Sequence, residues 1–276
     1  MDTELITEAH AFAMDVARQA GVILRERFDG PRDIDHKGTI DIVTDADRAS
    51  EALIAAAIRD RFPEHRLLAE EGATGAKPGT SPYRWVVDPL DGTTNFAHRY
   101  PHFAVSVGLE RDGELLVGAV YDPMRDELFE AARGSGARLN GVPIAVTDRS
   151  ELLSSLLASG FPYDLTARET SNRLWQRFND RSQGVRRDGA AALNIAYVAA
   201  GRLDGYWERP VMPWDKAASC LIAMEAGATV TGLTGGRFDI DDTSATVANP
   251  ALHSVLVEEI RNELEAMHDR DAGAPR

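Results

Sequence analysis

The stretch Trp85-Val86-Val87-Asp88-Pro89-Leu90-Asp91-Gly92-Thr93-Thr94-Asn95-Phe96 joins an apolar β-type run to a cluster of acidic and turn-forming residues. In an uninterrupted strand, residues three apart point to opposite faces, so Asp88 and Asp91 have no means of acting together there. Pro89 and Gly92 predict a break of the strand into a turn, which brings both carboxylates to one side and leaves the amides of Gly92, Thr93 and Thr94 free at the start of a short helix. Free amides at a helix N-terminus bind phosphate, and neighbouring carboxylates bind a hard, oxygen-seeking cation such as Mg²⁺. One turn thus supplies an anion site beside a metal site. The plainer reading is a turn in which both aspartates cap backbone amides, the common fate of Asp near Gly and Pro. The Asp-x-x-Asp-Gly spacing alone does not choose between the two.

Outward from this stretch, short β-type runs alternate with turns. Leu67-Leu68, Tyr83 to Val87, Phe103 to Leu109, Leu115 to Tyr121 and Glu127 to Ala131, with Arg111-Asp112-Gly113 as a tight hairpin, predict an antiparallel meander. Ahead of it, Ile6, Ala9, Ala13, Val16, Ala17, Ala20 and Leu24 share one face of a helix over 3–27, with Thr3 as N-cap and Gly30-Pro31 as its stop. After an extended stretch through Ile40, Ile42 and Val43, a second helix follows the Asp45–Asp47 cluster. It turns Leu53, Ile54, Ala57, Ile58 and Phe62 inward until Pro63.

Beyond Glu151 the pattern predicts a strand at Leu156 to Ala158, a polar helix around Arg168 to Phe178, and a helix from Gly189 to Ala200 stopped by Gly201. A helix from Pro213 to Ala226 with Gly227 after it, β-like stretches near Thr229 and Thr246, and a last helix opened by Asn249-Pro250 complete the chain. Two α-and-β units result, residues 1–148 and 149–276. Residues 71–82 form a glycine- and proline-rich insertion with little to bury, expected to be mobile without metal, and residues 268–276 read as a frayed tail.

A length of 276 residues, 43% of them hydrophobic, is enough for one large or two modest globular domains. Apolar runs such as Leu53 to Ile58 fall far short of the roughly 20 residues that span a bilayer, so no membrane association is expected. The acidic start at Met1-Asp2-Thr3-Glu4 lacks the basic region of a secretory signal, and a cytoplasmic address is expected. Cys220, the single cysteine, rules out an internal disulfide and Cys-Cys zinc or redox sites, so any metal is held mainly by oxygen. The balance of 44 acidic against 30 basic residues, a net −14, argues against nucleic acid as a partner. Neither His-x-His nor His-Glu-x-x-His occurs, and His98 and His102 flank Tyr100-Pro101 on a structural loop. Gly134-Ser-Gly136 and Thr234-Gly-Gly236 lack the Gly-Lys-Ser/Thr that completes a phosphate loop, and read as turns.

The twelve-residue string resembles the signature of the inositol monophosphatase family, Mg²⁺-dependent phosphatases of the lithium-sensitive type. Further elements of that family follow in the same order across nearly the whole chain: Asp41-Ile-Val-Thr-Asp-Ala-Asp47, Leu67-Leu-Ala-Glu-Glu71, Gly160-Phe-Pro-Tyr-Asp164, Gly189-Ala-Ala-Ala-Leu-Asn194, Tyr206-Trp-Glu208 and Trp214-Asp-Lys-Ala-Ala218. The resemblance implies an α/β fold, a layered αβαβα sandwich with an antiparallel sheet in the N-terminal half and a mixed sheet in the C-terminal half. It implies two or three Mg²⁺ ions: Glu70, Asp88 and the Leu90 carbonyl on the first, Asp88, Asp91 and Asp215 on the second, and a third near Glu70. Residues 1–148 then carry most metal ligands, and 149–276 one ligand with the substrate-binding residues.

In the same resemblance Thr93 orients the attacking water, Asp47 accepts its proton through the Thr93 hydroxyl, and Glu70 is the competing general base. Gly92, Thr93, Gly189, Ala191, Glu208 and Asp215 meet the substrate, Glu208 gripping ring hydroxyls. Each has a plainer reading: Asp47 as the N-cap of the second helix, Asp215 as an acid at an ordinary helix start, Glu208 as an exposed loop residue, and Lys37, a candidate to neutralise phosphate, as a solvent-facing lysine. Ala190 departs from the pattern, standing where many inositol-processing relatives have Ser or Thr. The expected reaction is hydrolysis of a small phosphorylated polyol or sugar, inositol-1-phosphate first, by a homodimer. The alternatives are fructose-1,6-bisphosphatase or histidinol-phosphatase activity, or a regulatory protein-binding module with incidental phosphatase activity.

Overall fold

Apolar residues at helical spacing bury one face of α1 (Thr3–Phe28), where Ala9, Ala13, Val16, Ala17, Ala20 and Leu24 are inaccessible to solvent or nearly so. The ribbon of β1 (Ile34–His36) and β2 (Ile42–Thr44) is antiparallel and leads into α2 (Asp45–Arg61). Thr44, not an aspartate, is the N-cap of α2, and Asp47 at its third position completes a capping box. The computed structural model describes residues 3–31, 33–72 and 81–273. Of the glycine- and proline-rich insertion at 71–82 that is expected to be mobile, residues 73–80 lie outside the described residues.

Strands β3 (Arg66–Ala69), β4 (Tyr83–Asp91), β5 (Ala104–Arg111), β6 (Glu114–Asp122), β7 (Glu127–Ala132), β8 (Ala137–Leu139) and β9 (Val142–Pro143) lie in that order in a seven-stranded sheet, with α3 (Thr93–Ala97) after β4. From β4 to β9 the sheet is the predicted meander, with positive φ at Asp112 and Gly113 closing the β5–β6 hairpin. Only the β3–β4 pair departs from it, being parallel. Parallel neighbours need a crossover of about a dozen residues, and the insertion at 71–82 supplies that length.

The second sheet is mixed, as expected. It combines β10 (Leu156–Ser159), β11 (Gly184–Arg186), β12 (Gly205–Glu208), β13 (Thr229–Thr231) and β14 (Ala245–Ala248) in the order β11-β10-β12-β14-β13. β10 runs parallel to β11 and β12, and β14 antiparallel to β12 and β13. Its helices are α4 (Arg168–Asn179), α5 (Ala191–Ala199), α6 (Pro213–Glu225) and α7 (Pro250–Gly273). The last runs well past the predicted fraying point at 268, because no Pro or Gly interrupts the sequence before Gly273.

Three cores stack these elements into an αβαβα sandwich. The first, with Trp85, Val105, Val117 and Leu24, lies under α1 and α2; the second joins Val86, Val120 and Phe129 to Leu193, Ile222 and Tyr206 around α5 and α6; the third holds Phe178, Trp207, Leu252 and Leu256 beneath α4 and α7. The α6 layer sits close to the first sheet because Gly108 and Gly118 are cross-strand partners. A Cβ on Gly118 would stand 2.5 Å from the Ala218 carbonyl oxygen, and one on Gly108 3.1 Å from Ala217 Cβ. This pair of bare positions lets the α6 backbone at Ala217 and Ala218 approach β5 and β6, the strands next to the one that carries Asp88.

Candidate active site

Strand β4 does not end at Pro89. It pairs with β5 up to Asp88–Ser106, slips register, and pairs again at Asp91–Ala104. Three residue steps on β4 therefore face two on β5, and the extra residue of this β-bulge reverses the alternation of side chains. Asp88 and Asp91 reach the same side by a bulge rather than by the predicted turn. Pro89, which has no amide to donate, fits where the ladder is interrupted. Gly92 then adopts φ 100° and caps α3 without a side-chain hydrogen bond, so the first amides of that helix are left for another acceptor. A Cβ there would lie 3.1 Å from the His102 carbonyl and 3.3 Å from the Gly189 carbonyl, which bars a larger residue.

Asp215, at the third position of α6, is brought to the same place. Carboxylate oxygens of Asp88, Asp91 and Asp215 all lie within 4.8 Å of one another. The Met212 amide donates to Asp215 at 2.7 Å, and the Ser106 hydroxyl fastens the turn by donating to the Trp214 carbonyl at 3.1 Å. Asp91 also accepts from the amides of Ala191 (3.0 Å) and Ala192 (2.8 Å), the first of α5. That helix starts two residues later than predicted, since Gly189 has φ 81° and Ala190 is extended.

Thr93 Oγ1 lies 2.9 Å from Asp47 Oδ1 and 3.2 Å from the Leu90 carbonyl. Asp47 is held from behind by the Thr44 amide (2.8 Å) and hydroxyl (2.5 Å). Glu70 follows β3 and stands outside the three-acid cluster, paired with Lys37 at 3.2 Å. Lys37 also bonds Glu71; it is exposed, as the plainer reading has it, and at the same time engaged with both glutamates. Glu208 closes the opposite wall, where the Tyr206 hydroxyl donates to its carboxylate.

These acids strain against one another. Burial, joined by the charges of Glu70, Asp91 and Asp215, pushes the Asp88 carboxyl well above the usual carboxylate range, and burial with Asp215 does the same to Asp91. Burial brings Asp215 up to about 6 against the pull of the Met212 amide, and Glu70 up to about 7 against the pull of Lys37. Glu208 is pushed up to about 8, again by burial. A cation among oxygen donors this close would remove the repulsion, and an all-carboxylate set suits a hard divalent ion. By donor chemistry and spacing, the residues fit Mg²⁺.

A cavity of about 550 Å³ opens over the cluster. Glu70, Asp88, Leu90, Asp91, Gly92, Thr93, Gly189, Ala191, Glu208 and Asp215 all line it, while Asp47 stands behind Thr93. Apart from Asp47, which reaches the cavity through Thr93, and Lys37, which reaches it through Glu70, every candidate site residue named from the sequence lines this one cavity. The structure adds four more. Asn95 ties the loops together by donating to the His102 and Asp188 carbonyls, both at 2.7 Å, and Tyr163, Arg187 and Asn194 line the wall. Asn95, Tyr163 and Asn194 stood inside the quoted motifs, but nothing in a single sequence marks Arg187.

A layered αβαβα sandwich with a cleft between its sheets that holds a cluster of carboxylates is the arrangement of a metal-assisted phosphatase. The chain belongs to the inositol monophosphatase family, whose pattern matches residues 6–265, and is an inositol monophosphatase-type phosphoric monoester hydrolase. It is 41% identical over 257 residues to the Nus factor SuhB of Escherichia coli, covering 91% of this chain and 95% of that one. To the inositol-1-monophosphatase of Synechocystis it is 42% identical over 248 residues, 88% of this chain and 85% of that one. Among solved structures, the inositol monophosphatase from Anabaena superposes with a TM-score of 0.84 at 39% identity, covering 94% of this chain and 97% of that one. Among the described residues, no helix is long and apolar enough to cross a membrane.

Proposed function

We propose that this chain hydrolyses inositol-1-phosphate to inositol and inorganic phosphate, using two or three Mg²⁺ ions held by Glu70, Asp88, the Leu90 carbonyl, Asp91 and Asp215. One observation carries the reading: the three aspartates meet within 4.8 Å while the Thr93 hydroxyl, 2.9 Å from Asp47, faces the same cavity. When bound, Mg²⁺ supplies the charge that activates water and steadies the leaving oxygen. The Thr93 hydroxyl orients the attacking water, and Asp47, fixed by both donors of Thr44, accepts the proton passed through that hydroxyl. Glu70 is the second candidate for this proton. The Gly92 and Thr93 amides hold phosphate oxygens, and Gly189, Ala191 and Glu208 meet the ring, with Asp215 at the shared edge. The Synechocystis relative's name supports inositol-1-phosphate as the substrate.

Release of inorganic phosphate, with and without Mg²⁺, from inositol-1-phosphate, fructose-1,6-bisphosphate and histidinol phosphate tests the reading. Mg²⁺-dependent turnover with the highest kcat/KM on inositol-1-phosphate is expected. A higher value on another member of the panel reassigns the substrate. Because Ala190 offers no hydroxyl to the ring, that comparison is the discriminating one. The relatives named Nus factor favour a second reading, a regulatory binding module on this scaffold; an Mg²⁺-loaded chain inert on the whole panel supports it. A homodimer, a cytoplasmic address and a division at residues 148/149 belong to the same proposal. The division is supported by the break between β9, which closes the first sheet, and β10, which opens the second.

A further inference from the structure

Residues two apart on a strand share a face, so Tyr206 and Glu208 of β12 point the same way while Trp207 faces the core beneath α4 and α7. Tyr206 is fully buried, and its hydroxyl donates to Glu208 Oε2. The other side of the Glu208 carboxylate is shaped by Gly160: a Cβ there would fall 2.0 Å from Oε1 and 2.2 Å from Oε2. The strand beneath is itself pinned. Ser159 pairs with Trp207 in the parallel β10–β12 ladder, and the Ser159 hydroxyl donates to the Trp207 carbonyl at 2.7 Å. Glu208 thus lies over bare backbone on one side and is gripped by a buried phenol on the other.

We propose that Tyr206 is a positioning residue that fixes the Glu208 carboxylate in the one orientation from which its remaining oxygen accepts a hydrogen bond from a substrate hydroxyl, with Gly160 leaving the room that this orientation needs. The inference rests on the reading that Glu208 grips the substrate's hydroxyls. A glutamate side chain has several rotatable bonds, and ordering it before the substrate arrives removes part of the entropy lost on binding. Tyr206 therefore acts on substrates that carry ring hydroxyls and not on the phosphate group they share with others.

Tyr206→Phe keeps the buried ring and removes only the donor, so thermal unfolding of the variant should stay within a few degrees of the wild type. The kinetic test compares inositol-1-phosphate with p-nitrophenyl phosphate, which offers the same phosphate and no ring hydroxyl. Wild type, Glu208→Gln, Tyr206→Phe and the double variant are measured on both at saturating Mg²⁺. Tyr206→Phe should raise KM for inositol-1-phosphate by about tenfold with little change in kcat, leave p-nitrophenyl phosphate unchanged, and add almost nothing on top of Glu208→Gln. If Glu208→Gln fails to raise KM for inositol-1-phosphate, the underlying reading of Glu208 is lost. If Glu208→Gln does raise it but Tyr206→Phe does not, the positioning role is overturned. Equal losses on both substrates, or effects of the two substitutions that simply add, also overturn it, since they mark Tyr206 as a core residue acting on the fold. Should Tyr206→Phe unfold, Gly160→Ala, which displaces the same carboxylate from its other side, must show the same substrate-selective rise in KM, and a rise on both substrates counts against the proposal.

Discussion

At the scale of single residues, the structure gives several site acids a structural task alongside the chemical one proposed for them. Asp47 is both the third residue of the α2 capping box and the partner of Thr93, and Asp215 both receives the Met212 amide and joins the three-acid cluster. The plain and functional readings of these residues describe the same contacts from two ends. Asp88 differs, since the backbone amide that donates to it, Leu90 at 2.9 Å, is only two residues away and its other surroundings are acids. Asp88→Asn is therefore expected to abolish turnover while leaving circular dichroism and unfolding temperature near wild type; near-normal turnover at saturating Mg²⁺ would falsify its role as a shared ligand. Thr93→Ala should lower kcat by roughly a hundredfold or more with KM and Mg²⁺ affinity little changed, because the hydroxyl acts on water and not on the ion. Steady-state kinetics beside an Mg²⁺ titration separates the two.

Among the elements, the helices and the meander were legible because their periodicities are uninterrupted: the α1 stripe from Ala9 to Leu24 and the hairpin at Asp112-Gly113 stand where the spacing predicts. The parallel β3–β4 pair was not, since strand direction across a long insertion leaves no local trace. The bulge at Pro89-Leu90 was also hidden, because a register slip is defined by the partner strand and not by its own residues. The candidate site was legible to a greater degree than the topology, as its residues cluster in motifs, whereas Lys37 binding Glu70 depends on a loop packing that no periodicity encodes. The closeness of α6 to the sheet has a direct test. Gly118→Ala places a methyl against the Ala218 carbonyl and should destabilise the protein by roughly 1–3 kcal/mol. By shifting the helix that carries Asp215, it should also weaken Mg²⁺ binding. Chemical denaturation and calorimetric titration of the same variant check both.

For the molecule as a whole, the crowded acids link metal, protons and stability. In metal-free protein the carboxyls of Asp215, at about 6, and Glu70, at about 7, hold protons that an unfolded chain releases near pH 4. The folded state then binds more protons than the unfolded one between about pH 4 and pH 7, so the stability due to these groups is present below that window and lost as pH rises through it. Mg²⁺ bound as proposed would take the place of those protons. Its stabilising effect should grow from pH 5 to pH 8, reaching about 2.7 kcal/mol where the ion is at 100 times its Kd. Differential scanning calorimetry with and without Mg²⁺ at the two pH values measures this; an equal shift at both would show that the acids do not titrate together with the ion.

The bonds from Asp91 to the amides of Ala191 and Ala192 bear on how this protein's lineage is read. A descendant freed from catalysis and kept for some other duty would still need that aspartate to begin α5, and the Asp47 capping box to begin α2. Their persistence in a genome is therefore no testimony to surviving chemistry. Asp88 and the Thr93 hydroxyl are the letters whose erasure would first record a retired enzyme.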